Sequence, residues 1–197
     1  MPSGPQSGDS GDRVIATLEK ALDRNDHWIQ TADAKIGVIL GFLVVVSGAV
    51  LARAATAAYA IYEYDGSASK KTIFTALMTT MGFPFLIATT MATLECFHGL
   101  LPKDRDRNGV RPQKQNPLYF GDTADQEEGA LAAWSEAATD EAIRLAFVEQ
   151  IVATGWIARE KFSSTTRAIK WLLILMLPTG VLLWMLCYLA LESLGGR

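Results

Sequence analysis

Asp33-Ala34-Lys35-Ile36-Gly37-Val38-Ile39-Leu40-Gly41-Phe42-Leu43-Val44-Val45-Val46-Ser47-Gly48-Ala49-Val50-Leu51-Ala52 is the stretch that decides the fold. After Lys35 no charge interrupts it until Arg53. A helix rises about 1.5 Å per residue and bilayer hydrocarbon is about 30 Å thick, so roughly 20 apolar residues cross it. With the Ala-, Tyr- and Ile-containing continuation past Arg53, residues 36–62 are long enough for a first transmembrane helix. The chain therefore reads as a membrane protein.

Composition agrees without deciding the matter. The 197 residues are 50% hydrophobic with a mean hydropathy of +0.18, which a soluble core could nearly supply. What separates this chain from a soluble one is that its apolar residues fall in blocks. The formal net charge of -3 gives no global basic character, so no nucleic-acid partner is expected. Cys96 and Cys187 lie in or at apolar segments far apart in sequence, which makes neither a metal cluster nor a disulfide framework. They read as packed thiols. No signal peptide is expected, because the first apolar block starts only at Ile36.

Upstream of the first span, residues 1–11 are Ser, Gly, Pro and Asp with little to bury and read as a disordered tail. Residues 12–35 carry Val14, Leu18, Leu22 and, loosely, Asn25 and Ile29 at helical spacing, predicting an amphipathic helix capped by Ser10 or Asp12 that leads into the span. Inside the span, Gly37 and Gly41 are spaced for close helix packing, and Arg53 is placed to snorkel toward headgroups. A polar link, 63–72, precedes a second span at 73–97 in which Pro84 predicts a kink. Thr72, Thr75, Thr79, Gly82, Thr90 and Thr93 project to one side of it. These hydroxyls either bond a neighbouring helix or their own backbone, or line a water path between assembled copies. Glu95 and His98 sit where they reach the interface.

Residues 98–170 read as a small cytoplasmic helical region. It opens with a basic, turn-rich loop from Pro102, then an aromatic knot, Asn116-Pro117-Leu118-Tyr119-Phe120-Gly121. A clear helix is predicted from Thr139-Asp140-Glu141, with Ile143, Phe147, Val148, Ile151, Val152 and Gly155 as its apolar stripe and Glu141, Arg144, Glu149 and Gln150 away from it. The last block, 171–191, is the cleanest span, with Trp171 at one interface and Trp184 and Tyr188 toward the other; 192–197 is an external tail. The fold class is an all-α membrane protein with three transmembrane helices and the helical region between the second and third. Lys and Arg are concentrated on the side of the amino terminus and the central region, which the positive-inside rule makes cytoplasmic.

No phosphate-cradling GK[ST] loop, GxSxG elbow or HExxH occurs, so no enzyme, metal or cofactor is expected. One candidate ligand site is left, between Lys103 and Gly121. Arg105, Arg107, Arg111 and Lys114 suit a phosphate, Tyr119 or Phe120 suits stacking on a base, and Asn116 lies in the same stretch. The plainer alternative is a juxtamembrane basic patch on anionic lipid with the aromatic knot packed in the domain.

Three motifs in this order carry a family resemblance: Ala32-Asp33-Ala34-Lys35 at the mouth of the first span, Asn116 to Gly121 after the second, and the Gln150 to Lys161 helix ending Ala158-Arg159-Glu160-Lys161-Phe162. With the membrane layout, they resemble the Pycsar membrane effector family over roughly residues 26–191. The resemblance implies a bacterial antiphage effector of the inner membrane, activated by cyclic UMP or cyclic CMP from a partner cyclase. It further implies that the activated effector impairs the membrane, and homo-oligomerisation through the Gly37/Gly41 and Thr75/Thr79 faces is the physical route expected for that. A different class, a small ion channel or transport accessory protein with a cytoplasmic regulatory domain, fits the same layout.

Overall fold

The computed structural model describes residues 8–101 and 137–195, and every element in them is helical. Helix α1 spans Gly8–Glu63, α2 spans Ala68–Leu100 and α3 spans Asp140–Trp171. A π-helical turn, Leu172–Met176, joins α3 to α4, Leu177–Gly195. Among the described residues three stretches, Arg13–Glu63, Ala68–Leu100 and Asp140–Leu194, are long and apolar enough to cross a membrane. The chain divides into two units, one of Met1–Ala32 with Leu101–Lys161 and one of Asp33–Leu100 with Phe162–Arg197.

The second unit holds the apolar blocks. On α1 its core residues are Ile36, Leu43, Val50 and Ala57, each seven after the last, so α1 presents one seam. Phe85, Ala88, Ala92 and Cys96 of α2 face that seam, as do Ala168, Leu172, Met176, Leu183 and Cys187 from the last two helical segments. Ala88, Ala92, Cys96, Ala168 and Cys187 among these are small. In lipid there is little hydrophobic drive to bring helices together, so small residues that let backbones approach do the work instead. Gly180 shows how close the approach is: a Cβ there would lie 3.0 Å from Cε2 of Phe85. The opposite surfaces are apolar and open, with Val38 74%, Val44 70% and Ile174 72% exposed, which water would not tolerate over such an area but acyl chains do.

The π turn has an identifiable job. Buried positions on α3 and beyond run Ala158, Lys161, Thr165, Ala168, Leu172 with alternating steps of three and four. The next would be residue 175, yet the buried residue is Met176, after which Leu183, Cys187 and Ala190 resume the rhythm. One extra residue has entered the helix, and the wider turn absorbs it: the Leu177 N–H bonds the Leu172 carbonyl, five residues back. Pro178 follows directly. It has no N–H for the carbonyl of residue 174, so the ladder is already broken where the bulge sits. Pro178 is readable in the sequence as a helix breaker, but the bulge is not, since 172–177 is uniformly apolar and shows no change of phase.

In α2 the threonines are spent locally. Thr72, Thr75, Thr79 and Thr80 each donate to the carbonyl four residues earlier at 2.8–3.0 Å, as do Thr89 and Thr93. Four residues of the face set out above, Thr72, Thr75, Thr79 and Thr93, thus bond their own backbone.

The first unit differs from expectation in one respect. Its α3 face was expected to bury Ile143, Phe147, Val148, Ile151, Val152 and Gly155. Val148 and Val152 are instead exposed, and the buried positions are Ala146, Gln150, Thr154 and Ala158. The stripe is rotated toward small and polar residues because α1 brings Asn25 against the α3 backbone. Asn25 Nδ2 donates to the Ile151 carbonyl at 2.9 Å and to Thr154 Oγ1 at 3.1 Å, and Thr154 passes its own proton to the Gln150 carbonyl at 2.9 Å. A side chain reaching a mid-helix carbonyl needs a neighbour no bulkier than Thr, Ala or Gly.

The packing gives a paired prediction. Gly180→Leu should destabilise the protein in detergent by about 1–3 kcal/mol through overpacking against Phe85. Gly48→Leu, where a Cβ meets nothing within 4 Å, should stay within about 0.5 kcal/mol of the parent. Thermal unfolding followed by circular dichroism reads both; equal losses would refute the register.

Candidate functional site

At the end of the span unit where α2 finishes and the Phe162–Trp171 part of α3 begins, polar side chains from separate helices meet. Arg167 Nε donates to Glu95 Oε2 at 2.9 Å, while its two terminal nitrogens donate to Ser163 Oγ at 2.7 Å and Ser164 Oγ at 3.1 Å. Local geometry dictates this. Ser163 and Ser164 lie four and three residues before Arg167, on the same helix face, so the planar guanidinium reaches both hydroxyls and still offers one edge across to α2. Ser164 is fully buried, and a Cβ on Gly99 would fall 3.3 Å from its own Cβ, so the helices touch at backbone distance here. Beside the cluster, Lys35 Nζ stands 5.2 Å from the centre of the Phe162 ring. The Arg167 and Glu95 side chains remain 41% and 20% exposed, so their attraction is partly screened and stays within about 1 kcal/mol. The pair fixes register between α2 and α3 more than it stabilises them.

A second polar feature lies deeper. Arg53 sits ten residues before the end of α1, where an Arg on a helix costs roughly 2.5–3.5 kcal/mol if it stays in hydrocarbon. Its guanidinium carbon lies 5.9 Å from the centre of the Trp184 ring, and its Nε is buried without a hydrogen-bond partner. Snorkelling toward headgroups was the expectation for this residue; the structure turns at least part of the side chain inward, onto α4.

The other expected site residues divide into two groups. Gly37 and Gly41 are exposed on α1, with open space where a Cβ would stand, and Gly48 is open in the same way. Thr75 and Thr79 are exposed on α2 with their hydroxyls turned to their own backbone. Among the described residues nothing lies within 4 Å of where a Cβ on Gly37 or Gly41 would stand. Arg105, Arg107, Arg111, Lys114, Asn116 and Tyr119 lie outside the described residues. No group of three or more His, Cys, Asp or Glu able to hold a metal occurs among the described residues.

Sequence reasoning did not find the Glu95–Arg167 pair, because 72 residues separate its members. A usable signal existed: an acid in the last turns of one span and a base just before the next apolar block belong to the same membrane boundary.

Comparison with known proteins then places the whole arrangement. No curated protein and no solved structure matches the chain. The family described as Pycsar effector protein domain matches residues 17–190, from the amphipathic start of α1 through nearly all of α4. The chain belongs to the Pycsar effector family, as one of its transmembrane members.

Proposed function

We propose that the chain is the membrane-damaging arm of an antiphage defence, activated by cyclic UMP or cyclic CMP that a partner cyclase makes on infection. The observation that carries this is the family match running across all three spans and the region between them. In this reading the amino terminus and the region between the second and third spans lie in the cytoplasm, the spans in the inner membrane. Arg105, Arg107, Arg111 and Lys114 take the cyclic phosphate, while Tyr119 stacks on the base and Asn116 supports it.

Activation is a shift of population. Moving an equilibrium from 1:99 to 99:1 takes about 5.5 kcal/mol of differential affinity, which several copies acting together can share. The open faces at Gly37 and Gly41 of α1 and Thr75 and Thr79 of α2 support association of copies, since they leave room for a neighbouring backbone. The Glu95–Arg167 pair then acts as a resting clasp between α2 and α3.

Dye influx into liposomes holding the purified chain should require cyclic UMP or cyclic CMP and should not respond to cyclic AMP. No pyrimidine response would overturn the nucleotide reading. Gly41→Leu should cut the nucleotide-dependent influx about tenfold while leaving the thermal midpoint unchanged, because a Cβ there meets nothing in the monomer. Influx equal to the parent would remove association through that face. Glu95→Gln should lower the half-activating nucleotide concentration about threefold, in line with a weak partly exposed pair. An unchanged or raised value would mean the pair is no clasp.

A further inference from the structure

Three observations converge on Arg53. The span unit carries an open groove of about 310 Å³ between α1 and α4, and its lining is wholly apolar. Val46 and Ala49 line it from α1, and Leu177, Val181, Trp184 and Met185 line it from α4. Ala49 precedes Arg53 by one helical turn and so shares its face. Trp184 also carries the Arg53 guanidinium over its ring at 5.9 Å. The groove therefore runs out at a cation. That cation is incompletely matched: its Nε–H is buried and finds no acceptor, and no carboxylate pairs with Arg53 among the described residues.

A guanidinium held against an aromatic face, beside a wholly apolar groove, is complementary to a molecule with a phosphate at one end and hydrocarbon behind it. The geometry points to a phospholipid site: one acyl chain of an anionic phospholipid lies in the groove between α1 and α4, and its phosphate accepts from Arg53. The vertical order agrees. Beyond Arg53 the chain reaches Tyr59, Tyr62 and Glu63 at the end of α1, where Tyr59 and Glu63 hydrogen-bond side by side and Lys71 stands 5.4 Å from the Tyr62 ring centre. Tyrosines with charged neighbours mark the headgroup level at that end. Arg53 thus lies between the headgroups and the groove, so a lipid of that leaflet has its phosphate on the arginine side and its chain on the groove side. The site is independent of any activating nucleotide. Its occupant is structural in kind: it fills the slot between the first and last spans and neutralises a charge that hydrocarbon opposes.

The test uses the full chain purified in detergent, with bound lipid read by native mass spectrometry during titration with dioleoyl phosphatidylglycerol. Dioleoylglycerol, which keeps the chains and lacks the phosphate, should bind about tenfold more weakly. Arg53→Gln should weaken phosphatidylglycerol by about the same factor, and it removes a charge from a span, so insertion is not at risk. Val181→Trp, which fills the groove, should also expel the lipid. Phosphatidylglycerol held by Arg53→Gln as tightly as by the parent would overturn the site. Binding that survives Val181→Trp but not Arg53→Gln would overturn the groove as the seat of the chain. Displacement of the lipid by millimolar inorganic phosphate would show a free-anion site instead.

Discussion

Everything else in the span unit depends on one constraint: helices in hydrocarbon must be held together by contact, because lipid tails are as apolar as the side chains they touch. The seam from Ile36 to Ala57 meets this constraint with a strict seven-residue repeat, and its partners are small enough to let the backbones close in. Alanine 88, 92 and 168, the two cysteines and Gly180 are therefore part of the structure and not filler. A seven-residue repeat against helices of three-and-four rhythm is coiled-coil packing, and it fixes register along the whole contact. The π turn exists to keep that register. Without it, every buried residue from Met176 onward would rotate by about 100° away from the seam.

Polar groups follow from where the seam places them. Glu95 and Arg167 meet at an edge of the unit, partly open, so their charges cost little and contribute little. Arg53 lies on α1 between the apolar groove and the tyrosines at the helix end, half-buried against α4. Its charge is met by the face of Trp184, whose ring quadrupole is the only compensation seen among the described residues. The two arginines thus have different standing: one sets register at a boundary, while the other stays incompletely matched until something anionic reaches it.

The three spans were legible because the signal for a membrane helix, length without charge, survives any arrangement of the helices. So was the passage of the 12–35 helix into the first span, since that junction carries no breaker. What was not legible depends on neighbours. The buried stripe of α3 went to Ala146, Gln150, Thr154 and Ala158 because Asn25 donates to the Ile151 carbonyl, a contact between residues 126 apart that periodicity cannot reveal. Choosing Ile143, Phe147 and Val148 by hydrophobicity assumed an apolar partner. The contact of Arg53 with the Trp184 ring escaped for the same reason, since it joins residues on different helices.

Two sets of small residues in the same unit can now be told apart. Gly99 and Gly180 are small because Ile36, Ser164 and Phe85 leave no room for more. Gly37, Gly41 and Gly48 have open space beside them among the described residues, and at about 100° per residue they fall within about 40° of one another on α1. A glycine inside a helix costs roughly 1 kcal/mol relative to alanine, and no described residue comes within 4 Å of where their Cβ atoms would stand to offset it. The inner set is accounted for by the fold of one molecule; the outer set leaves a bare face of the kind through which we proposed that copies associate.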